Sequence, residues 1–150
     1  LLYDRQRRIV AAVHAGWRGT VNRILTKTLH RMQSAYGTEG TDVIACIGPG
    51  ISLDSFEVGD EVYEAFRTEN FPMEYISVWK PETHKYHIDL WAANRLQLSD
   101  FGVPPRQIEN AGICTYRQHE DFFSARRLGI KSGRILSGIM LNGQEKGERK

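Results

Sequence analysis

Apolar residues in the first third of the chain follow two different periods. Residues 9–13, IVAAV, form a continuous apolar run with polar neighbours that is too short for a helix, so they predict a buried strand. Residues 20–37 place apolar side chains at helical spacing, which predicts a helix that Thr20 caps and Gly37 ends. Residues 42–47, DVIACI, predict a second buried strand.

The rest of the chain continues this alternation until strands dominate. Apolar positions predict one helix within residues 56–69 and another that begins at Asp89 and runs to residue 102. Short apolar stretches predict four more strands, at residues 75–79, 86–90, 108–116 and 134–141. The pattern therefore predicts an α/β or α+β domain with a mixed sheet.

Composition narrows the class of protein. A chain of 150 residues with 41% hydrophobic residues is long enough for one globular domain with its own core. The net charge of +2 is too small to indicate a nucleic-acid partner, and no apolar run approaches the roughly 20 residues of a membrane span. Two cysteines do not make a disulfide framework, so we expect both to be reduced in the cytoplasm.

The first candidate site is the turn HAGWRG, residues 14–19, after the first predicted strand. Its glycines let the backbone approach a ligand closely, and the N–H groups of the helix start favour an anion. Arg18 can pair with that anion through two hydrogen bonds, and neutral His14 is a common type of zinc ligand. The alternative is that His14 is a hydrogen-bonded core residue and Trp17 packs in the interior.

The second candidate is the segment FFSARR, residues 122–127. Phe122 and Phe123 offer stacking surface beside the guanidinium groups of Arg126 and Arg127, which suits a planar, anionic or phosphorylated ligand. The alternative is a packed turn with solvated arginines.

The cysteines give a weaker indication of chemistry. Cys46 has apolar neighbours and is interpreted as a small buried hydrophobic residue. Cys114 lies five residues before His119, and a Cys/His pair can be catalytic or metal-binding. Structural burial is the alternative for Cys114.

Taken in order, five blocks resemble the laccase-domain family, the YfiH and YlmD group, whose members are described as polyphenol oxidases and as purine nucleoside phosphorylases. The blocks are HAGWRG at 14–19, ACIGPGI at 45–51, FEVGDEV at 56–62, CTY at 114–116 and FFSARR at 122–127. The resemblance implies an α+β fold, with a mixed sheet layered with helices in a YfiH-like α/β/β/α sandwich. It also implies that residues 1–141 form one laccase-like domain, the C-terminal portion of a longer family domain, followed by a disordered polar tail at 142–150.

The resemblance further implies a metal site. Family members bind zinc through two histidines and one cysteine, and the histidine of HAGWRG carries over to His14. The other histidine and the ligand cysteine belong to motifs that precede Leu1, so the catalytic residues are unknown here. Copper is the alternative metal. Ala125 stands where many members carry Tyr, which changes one aromatic wall of the pocket.

The function implied by the resemblance is that of a zinc-dependent purine nucleoside enzyme. Such an enzyme would cleave adenosine, inosine or methylthioadenosine with phosphate and would deaminate adenosine. The residues expected to bind substrate or phosphate are Arg18, Phe123, Arg126 and Arg127. The alternatives are a copper-dependent polyphenol oxidase and an inactive truncated module. The expected partners are a purine nucleoside and phosphate, and self-association into a homo-oligomer stays open.

Overall fold

The computed structural model describes residues 1–143. Within them the chain forms seven strands: β1 (Leu2–Asp4), β2 (Ile9–Ala11), β3 (Val43–Ile47), β4 (Glu57–Val58), β5 (Ser77–Lys80), β6 (Lys85–Ile88) and β7 (Ile108–Asn110). The same residues form six α-helices: α1 (Trp17–Val21), α2 (Ile24–Tyr36), α3 (Asp60–Thr68), α4 (Met73–Ile76), α5 (Leu90–Asp100) and α6 (Ala125–Leu128). The predicted tail lies outside the described residues from residue 144 onward.

The strands form two sheets. The larger sheet has the order β2-β1-β3-β7, in which β1 pairs antiparallel with β2 and β3, while β3 and β7 are parallel. The smaller sheet is antiparallel, with the order β4-β6-β5. Mixed pairing beside helices confirms the α+β prediction.

Helix α5 joins two hydrophobic clusters. Leu90 and Ala93 belong to a cluster with Phe66 and Ile88 beneath the smaller sheet. Leu98, nearer the C-terminal end of the helix, belongs to a second cluster beneath the larger sheet. The side chain of Asp89 caps this helix by accepting a hydrogen bond from the Ala92 N–H at 2.9 Å, as its sequence position predicts. Helix α5 therefore contributes side chains to both halves of the core.

The predicted helix at 20–37 is wrong at its start. The helix begins three residues earlier, at Trp17, and breaks where Arg23 adopts a left-handed conformation with φ of 57° before α2. Thr20 is buried inside α1 and does not cap a helix. Gly37 does end α2, with φ of 72°.

Two strand predictions near the C-terminus are also wrong. The strand predicted at 108–116 ends at Asn110, and only an isolated bridge between Gly50 and Cys114 continues the pairing. Residues 134–141 form no strand. Leu136 and Met140 in that segment are 96% and 82% exposed, so these apolar side chains are not held by the core of the described chain.

Candidate active site

A cavity of about 600 Å³ lies where β2 and β3 end and α5 begins. Its volume is within the usual range for small-molecule sites. His14 from the HAGWRG turn, Cys46 from β3 and Phe123 from the FFSARR segment all line it. Trp91 and Asn94 on α5 also line the cavity. The cavity is thus built from parts of the chain that are distant in sequence.

His14 is an exposed side chain on the rim of this cavity. A Cβ atom at Gly16 would lie 3.3 Å from His14 Nε2, so glycine at this position leaves the imidazole its space. The core-histidine alternative therefore does not describe His14. Trp17 is partly buried and packs against the cluster beneath the smaller sheet, as the packing alternative predicts.

A buried polar network holds the turn that carries His14. The Thr20 hydroxyl donates to the Ala15 carbonyl at 3.1 Å and accepts a hydrogen bond from Asn94 Nδ2 at 3.1 Å. Gln97 Nε2 donates to the Thr20 carbonyl at 3.3 Å. Thr20 and Gln97 are fully buried and Asn94 is 6% exposed. These buried hydrogen bonds favour one geometry, so α5 sets the position of residues 14–16.

Replacing Thr20 with Val is expected to lower the free energy of unfolding by about 2 kcal/mol, because the Ala15 carbonyl and the Asn94 amide each lose a buried partner. Chemical denaturation measures this loss. Thr28→Val is the matched control, since the Thr28 hydroxyl donates a hydrogen bond to the Ile24 carbonyl on an exposed part of α2. A loss of equal size in the two variants would contradict a special role for Thr20.

A metal site in this chain would depend on its His, Cys, Asp and Glu side chains. A catalytic zinc site uses three protein ligands. Among residues 1–143, no group of three or more His, Cys, Asp and Glu side chains is arranged to hold a metal ion. Those residues do not fit a complete zinc or copper centre by themselves, and His14 supplies at most one ligand to one.

The predicted substrate-binding residues are only partly brought together. Phe123 lines the cavity with His14, whereas none of the three arginines is part of its lining within the described chain. The guanidinium of Arg18 lies over its neighbour Trp17 at 4.3 Å. Arg126 donates to the Glu57 carbonyl at 2.7 Å.

Arg127 contacts a neighbouring aromatic ring. Its guanidinium lies 5.2 Å from the ring centre of Tyr116, and Nη1 is 3.5 Å from the Tyr116 hydroxyl. The role of the three arginines in binding phosphate stays a prediction.

Cys114 has a distinctive environment that its sequence position did not indicate. The thiol is buried, and Ser52 donates to Sγ from its backbone N–H at 3.4 Å and its hydroxyl at 3.1 Å. Burial raises the pKa of Cys114, but hydrogen bonds with Ser52 and Ser55 outweigh it and lower the pKa from 9.0 to about 7. Cys46 and Cys114 are both free cysteines in the structure.

Within residues 1–143, no helix combines the length and apolar character that a membrane crossing requires.

Comparison with known proteins places the whole described chain in one group. The family model described as multi-copper polyphenol oxidoreductase laccase matches residues 1–142. A purine nucleoside phosphorylase of Bacteroides thetaiotaomicron is 63% identical over 142 residues, which are 95% of this chain and 53% of that protein. Adenosine deaminase RL5, from an unknown prokaryotic organism, is 49% identical over 93% of this chain and 53% of its own length.

A solved structure agrees with these sequence matches. The crystal structure of the hypothetical protein YfiH of Bacillus licheniformis superposes with a TM-score of 0.76 at 31% identity, covering 84% of this chain and 47% of that one. The chain therefore spans about half the length of the relatives that it matches.

Proposed function

Since the chain belongs to the multi-copper polyphenol oxidoreductase laccase family, we propose that it forms part of the active site of a purine nucleoside enzyme. The reactions proposed are cleavage of adenosine, inosine or methylthioadenosine by phosphate, and deamination of adenosine. The observation that carries this proposal is that His14 and Phe123, from distant parts of the sequence, line one cavity of ligand size. The names of the phosphorylase and deaminase relatives support the choice of substrate class.

The proposed metal is zinc, with His14 as one of its ligands. The described residues do not complete the ligand set, so the other ligands are assigned to protein outside residues 1–143. Within the described chain, the contribution of His14 is to present an imidazole nitrogen at the rim of the cavity. The buried contacts of Thr20 keep the backbone of that turn in place.

The experiment that tests this function uses a complemented enzyme. We define it as this chain mixed with the part of the Bacteroides thetaiotaomicron relative that the chain does not match. Nucleoside is supplied with and without phosphate, and the products are separated by chromatography. Release of free base only with phosphate indicates phosphorolysis, and release of inosine from adenosine indicates deamination. If the complemented enzyme consumed no nucleoside under either condition, that result would contradict the proposal.

A copper-dependent polyphenol oxidase is a second candidate, favoured by the description of the family model. An oxidase would consume dioxygen when a phenol is supplied with copper. The same complemented enzyme, tested in an oxygen electrode, separates this activity from nucleoside cleavage. An inactive module would show neither activity.

Arg126 and Arg127 are proposed to bind the phosphate that attacks the nucleoside. Replacing each with Ala is expected to raise the KM for phosphate in the complemented enzyme about tenfold or more, because a charge-assisted hydrogen bond is lost. Initial rates at varied phosphate measure this. Arg67→Ala is the control, since this exposed arginine pairs with Glu64 on α3. An unchanged KM for phosphate in both Arg126 and Arg127 variants would overturn the assignment.

A further inference from the structure

Asn94 lines the cavity and carries one polar atom that has no partner in the described structure. Asn94 is 6% exposed, and its side-chain oxygen Oδ1 is buried without a hydrogen bond in the described structure. Its amide nitrogen is fully used, because Nδ2 donates to the Leu90 carbonyl at 2.8 Å and to the Thr20 hydroxyl at 3.1 Å. A buried acceptor left in this state is unfavourable and gains from any donor that reaches it.

The orientation of this amide is determined by its neighbours. The Leu90 carbonyl can only accept, so it must face the nitrogen of Asn94 and not the oxygen. The Thr20 hydroxyl donates its single hydrogen to the Ala15 carbonyl, so toward Asn94 it also acts as an acceptor. Exchanging oxygen and nitrogen would break both contacts. The free group of Asn94 is therefore an acceptor and never a donor.

We propose that Asn94 is a specificity-determining residue of the cavity, whose Oδ1 accepts a hydrogen bond from an amino group on a planar heterocycle bound there. Asn94 lines the cavity together with Trp91 and Phe123, whose rings offer apolar contact to a flat ligand. The position on α5 is preorganised, since Asp89 caps the helix and the Thr20 contacts hold the amide. The choice of an aminopurine as this heterocycle rests on the proposed function.

A fixed acceptor distinguishes ligands by what they donate. A site built to hydrogen-bond a donor rejects an otherwise identical ligand without it, because the protein group is again left unpaired. For Asn94, this predicts preference for a purine that carries a 6-amino group over the same purine without one. The preference belongs to binding and does not require that any bond in the ligand is broken.

The test compares 9-methyladenine with 9-methylpurine, which differ only in the 6-amino group. Dissociation constants are measured on the full 150-residue chain by protein-observed NMR titration, with a chelator present so that metal plays no part. The wild-type chain is expected to bind 9-methyladenine about tenfold or more tightly. In Asn94→Leu, the ratio of the two constants should fall to near one.

Gln107→Leu provides the matched control. Gln107 is a buried amide that does not line the cavity, and its Nε2 donates to the Thr41 and Val43 carbonyls at 3.0 and 2.7 Å. Its loss should lower stability but leave the ratio of the constants at the wild-type value. A fall of equal size in Gln107→Leu would show that the ratio reports general loosening and would overturn the assignment of Asn94.

The wild-type measurement decides the matter even where a variant does not fold. Equal binding of the two probes, or no binding of either at millimolar concentration, overturns the role of Asn94. Failure of the proposed function is distinguishable from this outcome. Selective binding without nucleoside turnover supports the role of Asn94 and contradicts the proposed enzyme activity. Turnover without selective binding supports the enzyme activity and contradicts the role of Asn94.

Discussion

Replacing His14 with Ala is expected to lower nucleoside turnover of the complemented enzyme by more than about a hundredfold. Loss of a group that only orients a metal ligand lowers metal affinity or activity about 10- to 100-fold. Removing the proposed ligand itself should cost more. His14 is exposed at the cavity, so its replacement removes little packing and should leave the fold intact.

The measurement combines steady-state rates with metal content after loosely held metal is removed. His30→Ala is the matched control, because His30 is an exposed histidine on α2 that does not line the cavity. That variant should keep full turnover and full metal content. Wild-type turnover in His14→Ala would show that the cavity chemistry does not depend on this imidazole.

The second large effect is expected from replacing Asp4, which should lower the free energy of unfolding. Asp4 is the last residue of β1 and is fully buried, and its Oδ1 accepts hydrogen bonds from the N–H groups of Gln6 and Arg7 at 3.0 and 2.9 Å. Arg7 Nη1 also lies 3.5 Å from Oδ2. Replacing Asp4 with Ala leaves these donors without their buried acceptor. We expect a loss of about 3 kcal/mol in the free energy of unfolding.

The contribution of Asp4 should depend on pH in a defined direction. Burial acts to raise the pKa of Asp4, but the hydrogen bonds from Arg7 and Gln6 and the charge of Arg7 outweigh it, so the pKa is lowered. A lowered pKa in the folded state stabilises the protein above the unfolded value of about 3.9, and this part is lost as pH falls through the folded value.

Urea denaturation at pH 7 and at a series of lower pH values measures both the loss of stability in Asp4→Ala and its dependence on pH. The difference between wild type and Asp4→Ala should be largest near neutrality and should shrink in acid. Asp54→Ala is the matched control, because Asp54 forms an exposed pair with Arg117 at 3.1 Å and should change stability by less than about 1 kcal/mol. A pH-independent difference for Asp4→Ala would contradict the ionised, buried state of this carboxylate.

Several elements of the fold were predictable because local pattern and tertiary packing agree. Helix α5 has its Asp89 cap and its apolar positions in the core, as the sequence indicates. The strand predicted at residues 134–141 was wrong because a short apolar stretch forms a strand only where a partner edge is present. Leu136 and Met140 are instead exposed in the described chain. The helix break at Arg23 was not predicted, because a non-glycine residue with positive φ has no reliable sequence signal.

The candidate site was predictable in part for the same reason. The HAGWRG motif singled out His14, which lines the cavity, because its glycines and the preceding strand are local features. The role of His14 as a metal ligand stays a prediction. The directions of Arg126 and Arg127 depend on acceptors and rings from other segments, namely Glu57 and Tyr116. Asn94 could not be singled out because a polar residue inside an amphipathic helix is ordinarily solvated. Its burial is a consequence of packing between two clusters.

The measurement that bears most directly on the proposed function is the fate of adenosine and inosine in the complemented enzyme. The intact Bacteroides thetaiotaomicron relative serves as the positive reference, and each half alone as the negative one. We expect consumption of nucleoside by the complemented enzyme, dependent on phosphate for release of free base, and none by either half. Active reference protein beside a complemented enzyme that assembles, binds metal and consumes no nucleoside would contradict a purine nucleoside activity for this chain.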